Sequence, residues 1–111
     1  MAAPIHQVKA EFFKTLGHPA RIRVLEVLRE GERTVGQLVP EVGIEASHLS
    51  QQLAVLRRAG LVQNRKEGAT VVYSVADPAI FELLEVAKRI LTSSLLHSRE
   101  AILAELQSDI G

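Results

Sequence analysis

The sequence predicts a mostly α-helical domain that carries one small β-hairpin, and three observations predict it. Apolar residues recur at helical spacing up to Ala59 and again after Pro78, the period changes to alternation between Leu61 and Val75, and glycine or proline stands at most of the changes. Apolar residues make up 47% of the chain but aromatic ones only 4%, so the core has to be aliphatic, built from Leu, Ile, Val and Ala on helices. A length of 111 residues fits one domain, 1–111, with no separate catalytic domain expected.

A first helix is expected over residues 6–16, where Val8, Phe12, Phe13 and Leu16 keep helical spacing and Gly17 stops the run. Pro19 suits the first position of a second helix, because its missing N–H has no helical partner there. Ile22, Leu25 and Leu28 form that helix's buried stripe up to Gly31. Thr34 followed by Gln37 is a capping-box pattern, which places a short third helix over Val35 to Val39, ending near Pro40 to Gly43. A fourth runs from Ala46 to Ala59 with Leu49, Leu53 and Leu56 on one face, and Gly60 ends it.

Two strands follow, Val62 to Lys66 and Ala69 to Val75, joined at Glu67 and Gly68. Asp77 and Pro78 then cap a long last helix with apolar positions at Phe81, Leu84, Ala87, Leu91, Leu95, Ile102 and Leu106. Thirty residues of helix span about 45 Å, more than a domain this small covers. A second copy of the chain is the simplest partner for the remaining apolar stripe.

Composition excludes several chemistries. With no cysteine there is no disulfide, no thiolate metal site and no thiol nucleophile. There is no Gly-rich phosphate loop and no nucleophile spaced with a base, so an enzyme is not expected and no cofactor is called for. No apolar run approaches the roughly 18 residues of a membrane span, and no leader pattern opens the chain, so a cytoplasmic location without membrane contact is expected.

The 13 basic and 13 acidic residues cancel, but they are not mixed evenly. Between Ala46 and Lys66 stand Arg57, Arg58, Arg65 and Lys66 with no acid, whereas Asp77, Glu82, Glu85, Glu100, Glu105 and Asp109 outweigh Lys88, Arg89 and Arg99 in the last segment. Three helices, a Gly-terminated helix with an exposed polar face, a basic hairpin and a closing helix together describe a winged helix-turn-helix. On that reading the partner is double-stranded DNA. Gln51 and Gln52 have the amide geometry to bond adenine bidentately, and Ser47, His48 and Ser50 are short enough to approach bases or phosphates. Arg57, Arg58, Arg65 and Lys66 are placed to neutralise phosphates. Taken singly, each of these residues is equally explained as part of a solvated helix face, and it is their combination that points to DNA.

Two stretches carry a family resemblance. Phe12 to Arg23, reading FFKTLGHPARIR, and Ser47 to Val62, reading SHLSQQLAVLRRAGLV, resemble the second-helix entry and the recognition helix of the ArsR/SmtB family of dimeric winged-helix repressors. The hairpin from Arg65 to Gly68 and Val72 to Val75 is similar to the family's wing. The resemblance covers nearly the whole chain. It implies a homodimer joined through the first and last helices, binding an inverted-repeat operator with two recognition helices in successive major grooves.

Many members of that family release DNA on sensing metals, and here the resemblance breaks. Thr34 stands where the family's metal-sensing thiolate lies in the third helix, and Asp77 is followed by Ala79, Ile90 and Ser93 where further ligands stand in the family's second site. Asp77 before Pro78 is more simply a helix N-cap. His6, His97 and Glu100 are the remaining candidates for an interface metal site, while His18 reads as a residue leading into the second helix. The leading expectation is thus a metal-independent repressor of unknown effector. The alternatives are a repressor answering to a non-thiol metal or an organic ligand at the dimer interface, and a winged-helix module that binds protein.

Overall fold

The computed structural model describes residues 3–110, and all of their side chains except those of 96 and 108–110. The described residues fall into two units divided between Ile80 and Phe81. The first holds α1 (Ile5–Leu16), α2 (Pro19–Leu28), β1 (Arg33–Thr34), α3 (Val35–Val42), α4 (Ala46–Arg58), β2 (Val62–Glu67) and β3 (Thr70–Val75). The second is built from α5 (Ala79–Ile110), a helix of 32 residues, from Phe81 onward.

The core of the first unit is aliphatic, as composition requires. Val24 and Leu25 on α2, Leu38 on α3, and Leu49, Leu53 and Leu56 on α4 are wholly buried. No aromatic ring joins them in the buried set, and Phe13 is exposed on α1. Burying a Leu side chain contributes about 1.5–3 kcal/mol, so this three-helix cluster is the main source of stability in the unit.

The helix ends follow local chemistry. His18 caps α2 through Nδ1, which accepts from the Ala20 N–H at 3.2 Å, with Pro19 at the first position. The capping box of α3 forms in both directions: the Gln37 N–H donates to Thr34 Oγ1 at 3.2 Å, and the Thr34 N–H donates to Gln37 Oε1 at 2.9 Å. This helix runs past Pro40 to Val42, within the Pro40 to Gly43 range expected for its end. Proline removes its own N–H from the ladder and crowds the carbonyl one turn back, and the helix continues only two residues beyond it before closing at Gly43, whose φ of 82° is the left-handed conformation glycine adopts freely. Asp77 caps α5 as expected, its Oδ1 accepting from the Ala79 N–H at 2.9 Å.

The α4 terminus is a Schellman motif. The Leu61 N–H reaches Leu56 O at 2.9 Å and the Gly60 N–H reaches Arg57 O at 3.0 Å, with Gly60 at φ 78°. The chain thereby leaves the helix directly into β2. The hairpin pairs Val62 with Val75 through to Glu67 with Thr70, so the turn is Gly68-Ala69, one residue later than expected. A glycine at the first central position is the requirement of a type II′ turn, which matches the strands' twist. No sequence pattern points to β1, a two-residue strand that pairs Arg33 with Tyr73 and Thr34 with Val72 and completes an antiparallel sheet of order β1-β3-β2.

Candidate nucleic-acid interface

Helix α4 follows α3 after the three residues Gly43 to Glu45, which is the spacing of a helix-turn-helix. At 100° per residue, Leu49, Leu53 and Leu56 fix the inward direction of α4. Diametrically opposite lie Ser47, Gln51, Ala54 and Arg58, at i, i+4, i+7 and i+11. Ser47, Gln51 and Arg58 are exposed, as are Ser50 and Arg57 beside them. A rod with an anchored apolar side and an acid-free polar side is what a major groove accepts: the helix with its side chains is about 10–12 Å across, and the groove about 12 Å wide.

Gln52 departs from expectation. The helical spacing puts it at i+3 from Leu49, on the buried stripe, and its side chain is only 7% exposed. Arg21 of α2 donates from Nε to Gln52 Oε1 at 2.7 Å, so the amide is engaged inside the protein and does not share the outward face with Gln51. His48 is half-buried, its ring meeting that of His18 edge-on with centroids 6.2 Å apart. Ser47 is exposed at the start of α4. Its hydroxyl donates to Glu45 Oε1 at 2.6 Å, and Glu45, the N-cap residue, makes no side-chain cap bond.

The four basic residues are not equivalent. Arg57, Arg58 and Lys66 are exposed and have no ion-pair partner among the described residues. Arg65 is held by two carboxylates: Nε donates to Glu67 Oε1 at 3.0 Å and Nη2 to the same oxygen at 2.6 Å, while Nη1 pairs with Glu32. Strand alternation explains this. Arg65 and Glu67 share one face of β2, while Lys66 points to the other.

The metal candidates stand apart in character from this face. His6 on α1, and His97 and Glu100 on α5, are all exposed, and among the described residues no group of three or more His, Cys, Asp or Glu is gathered as a metal site. Among those residues no helix is long and apolar enough to cross a membrane.

Comparison with known proteins fits this geometry. The family model of bacterial regulatory proteins of the arsR family matches residues 18–64, which span α2 to the first half of β2. An uncharacterized HTH-type transcriptional regulator of Mycobacterium tuberculosis, Rv0081, is 54% identical over 106 residues, 95% of this chain and 92% of its own. Its crystal structure superposes with a TM-score of 0.77, at 56% identity over 85% of this chain and 95% of that one. The biofilm growth-associated repressor of Agrobacterium fabrum is 42% identical over 76 residues, 68% of this chain and 65% of its own. The solution structure of the homodimeric winged helix-turn-helix DNA-binding domain Mb0332 from Mycobacterium bovis gives a TM-score of 0.74 at 26% identity, over 87% of this chain and 95% of that one.

A helix-turn-helix backed by a three-stranded sheet, with the second helix turning an acid-free stripe outward, defines a winged helix-turn-helix transcriptional regulator. With a relative more than half identical along 95% of its length, the chain belongs to the arsR family of bacterial regulatory proteins.

Proposed function

We propose that this regulator is a repressor that binds an inverted-repeat operator as a homodimer, with α4 of each copy in the major groove. The observation that carries the reading is the α4 surface itself: Ser47, Ser50, Gln51, Arg57 and Arg58 exposed and free of neighbouring acids within the helix, behind which Leu49, Leu53 and Leu56 are fully buried. Gln51 reads base edges, with Ser47, His48 and Ser50 near bases or phosphates. Arg57, Arg58 and Lys66 neutralise phosphate, and Arg65 joins them once it leaves its carboxylates. The protein acts in the cytoplasm, where its DNA lies, and catalyses no reaction.

The dimer rests on apolar surface. On α1, Ile5, Val8 and Phe13 are each more than half exposed, and on α5 so are Ile90, Leu91, Leu95, Ile102, Leu103 and Leu106. Two helices with this much uncovered apolar surface need a partner. The homodimeric Mycobacterium bovis relative and the Agrobacterium fabrum repressor support the same reading.

Fluorescence anisotropy of the purified protein on DNA from upstream of its own gene, with EDTA and with added zinc, nickel or cobalt, tests it. Specific binding indifferent to metals is the expected result. Release on adding a metal would bring His6, His97 and Glu100 forward as ligands, and binding no tighter than to scrambled DNA would overturn the operator reading.

A further inference from the structure

Gln52 is the only buried polar side chain among the described residues, and its partner is unusual in what else it holds. Arg21 donates from Nε to Gln52 Oε1 at 2.7 Å and from Nη1 to the Thr15 carbonyl at 3.0 Å. One guanidinium thus joins the last turn of α1, the first turn of α2 and the middle of α4. A turn closer to the N-termini of α2 and α4, the His18 and His48 rings meet. Two side-chain pairs, 18 with 48 and 21 with 52, therefore fasten α2 along the side of α4 that borders its outward stripe.

The three leucines that bury α4 set which side of it faces the core, but apolar contact is non-directional and leaves a small range of rotation within that packing. A charge-assisted hydrogen bond of 2.7 Å is directional and short. From this geometry we infer that Arg21 is a positioning residue for DNA recognition: through Gln52 it sets the rotation of α4, and so the angle at which Gln51 meets the bases and Arg58 the backbone. The inference rests on the operator-binding reading above. It gives Gln52 a task inside the protein, as an acceptor for Arg21, in place of base contact.

Four variants of the full chain separate the possibilities: Arg21→Ala, Gln52→Ala, the double substitution, and Gln52→Glu, which keeps the acceptor but replaces the amide's donors with a second oxygen. Each is measured for anisotropy on operator and scrambled duplexes at a temperature well below its own Tm, so that only folded protein is compared. Both single alanine variants are expected to lower the operator-to-scrambled ratio about tenfold, the double variant no further than either, and Gln52→Glu to stay within about threefold of wild type, as befits two members of one interaction. Three results overturn the inference while leaving the operator reading intact. They are loss in Gln52→Glu equal to that in Gln52→Ala, losses that add in the double variant, and a lowered Tm with an unchanged ratio. A wild-type protein that shows no operator preference overturns the operator reading, and the positioning role with it.

Discussion

At Arg65 two functions compete for one guanidinium. Glu32 and Glu67 hold it on the face of β2, and a phosphate can take it only by displacing them. All three side chains are about half exposed, where an ion pair contributes at most about 1 kcal/mol, so a phosphate wins the exchange at modest cost. Replacing both acids by glutamine removes the competition and two negative charges beside Arg65. The double variant Glu32→Gln, Glu67→Gln should bind operator and scrambled DNA more tightly by the same factor, and its log–log salt dependence should steepen by up to about 0.9, the increment for one added phosphate contact. Unchanged affinity on both duplexes would mean that Arg65 keeps its carboxylates in the complex. Gln51 should behave in the opposite way. Gln51→Ala should lose about 1–3 kcal/mol on operator alone, because a bidentate base contact exists only where the right base does. Equal weakening on scrambled DNA would assign it to the backbone.

The elements were legible where a pattern repeats and hidden where a single distant partner decides. Five helices and a hairpin could be read from spacing, caps and turn residues, with ends displaced by a residue or two, because those signals are local. β1 could not: two residues make no alternation, and the strand exists because Arg33 and Thr34 pair with Tyr73 and Val72 nearly forty residues away. Gln52 carries two opposed local signals: its i+3 spacing from Leu49 marks the buried stripe and its polarity the surface, and nothing local announces that Arg21 stands ready to satisfy it. The same distinction gives two glycines of the helix-turn-helix opposite responses. Gly36 lies inside α3 with negative φ, and an added Cβ meets nothing nearer than Thr34 Oγ1 at 3.9 Å. Gly36→Ala should raise stability by about 0.5–1 kcal/mol, from reduced freedom of the unfolded chain. Gly60 has equal space around it but a φ of 78°, so Gly60→Ala should lower stability by about 1–2 kcal/mol through backbone strain alone. Urea melts of both variants check the pair, and a shift of the same sign in each would contradict the conformational argument.

At the scale of the whole molecule the question is what covers α5. Leu91, Leu95, Ile102 and Leu106 recur at intervals of four, seven and four, about one, two and one helical turns, so they share one side of α5, and each is more than half exposed. On the proposed reading, a two-helix seam along this side would relate two α4 helices by a two-fold axis, and an inverted repeat with half-sites about 34–36 Å apart would bind both at once. Most of the operator affinity would come from that simultaneous engagement, since linking two weak sites raises overall affinity by about 10²–10⁴ without any new contact. Leu95→Glu puts a charge into the seam at a position 70% exposed in the single chain, leaving the buried cluster of α2, α3 and α4 untouched. Sedimentation equilibrium should show wild type as a dimer at micromolar concentration and the variant as a monomer. The variant should lose affinity for the full inverted repeat by a factor in that range while binding a single half-site duplex as the wild type does. A variant that remains dimeric moves the seam off α5. One that becomes monomeric yet keeps full-site affinity removes the dimer from operator recognition altogether.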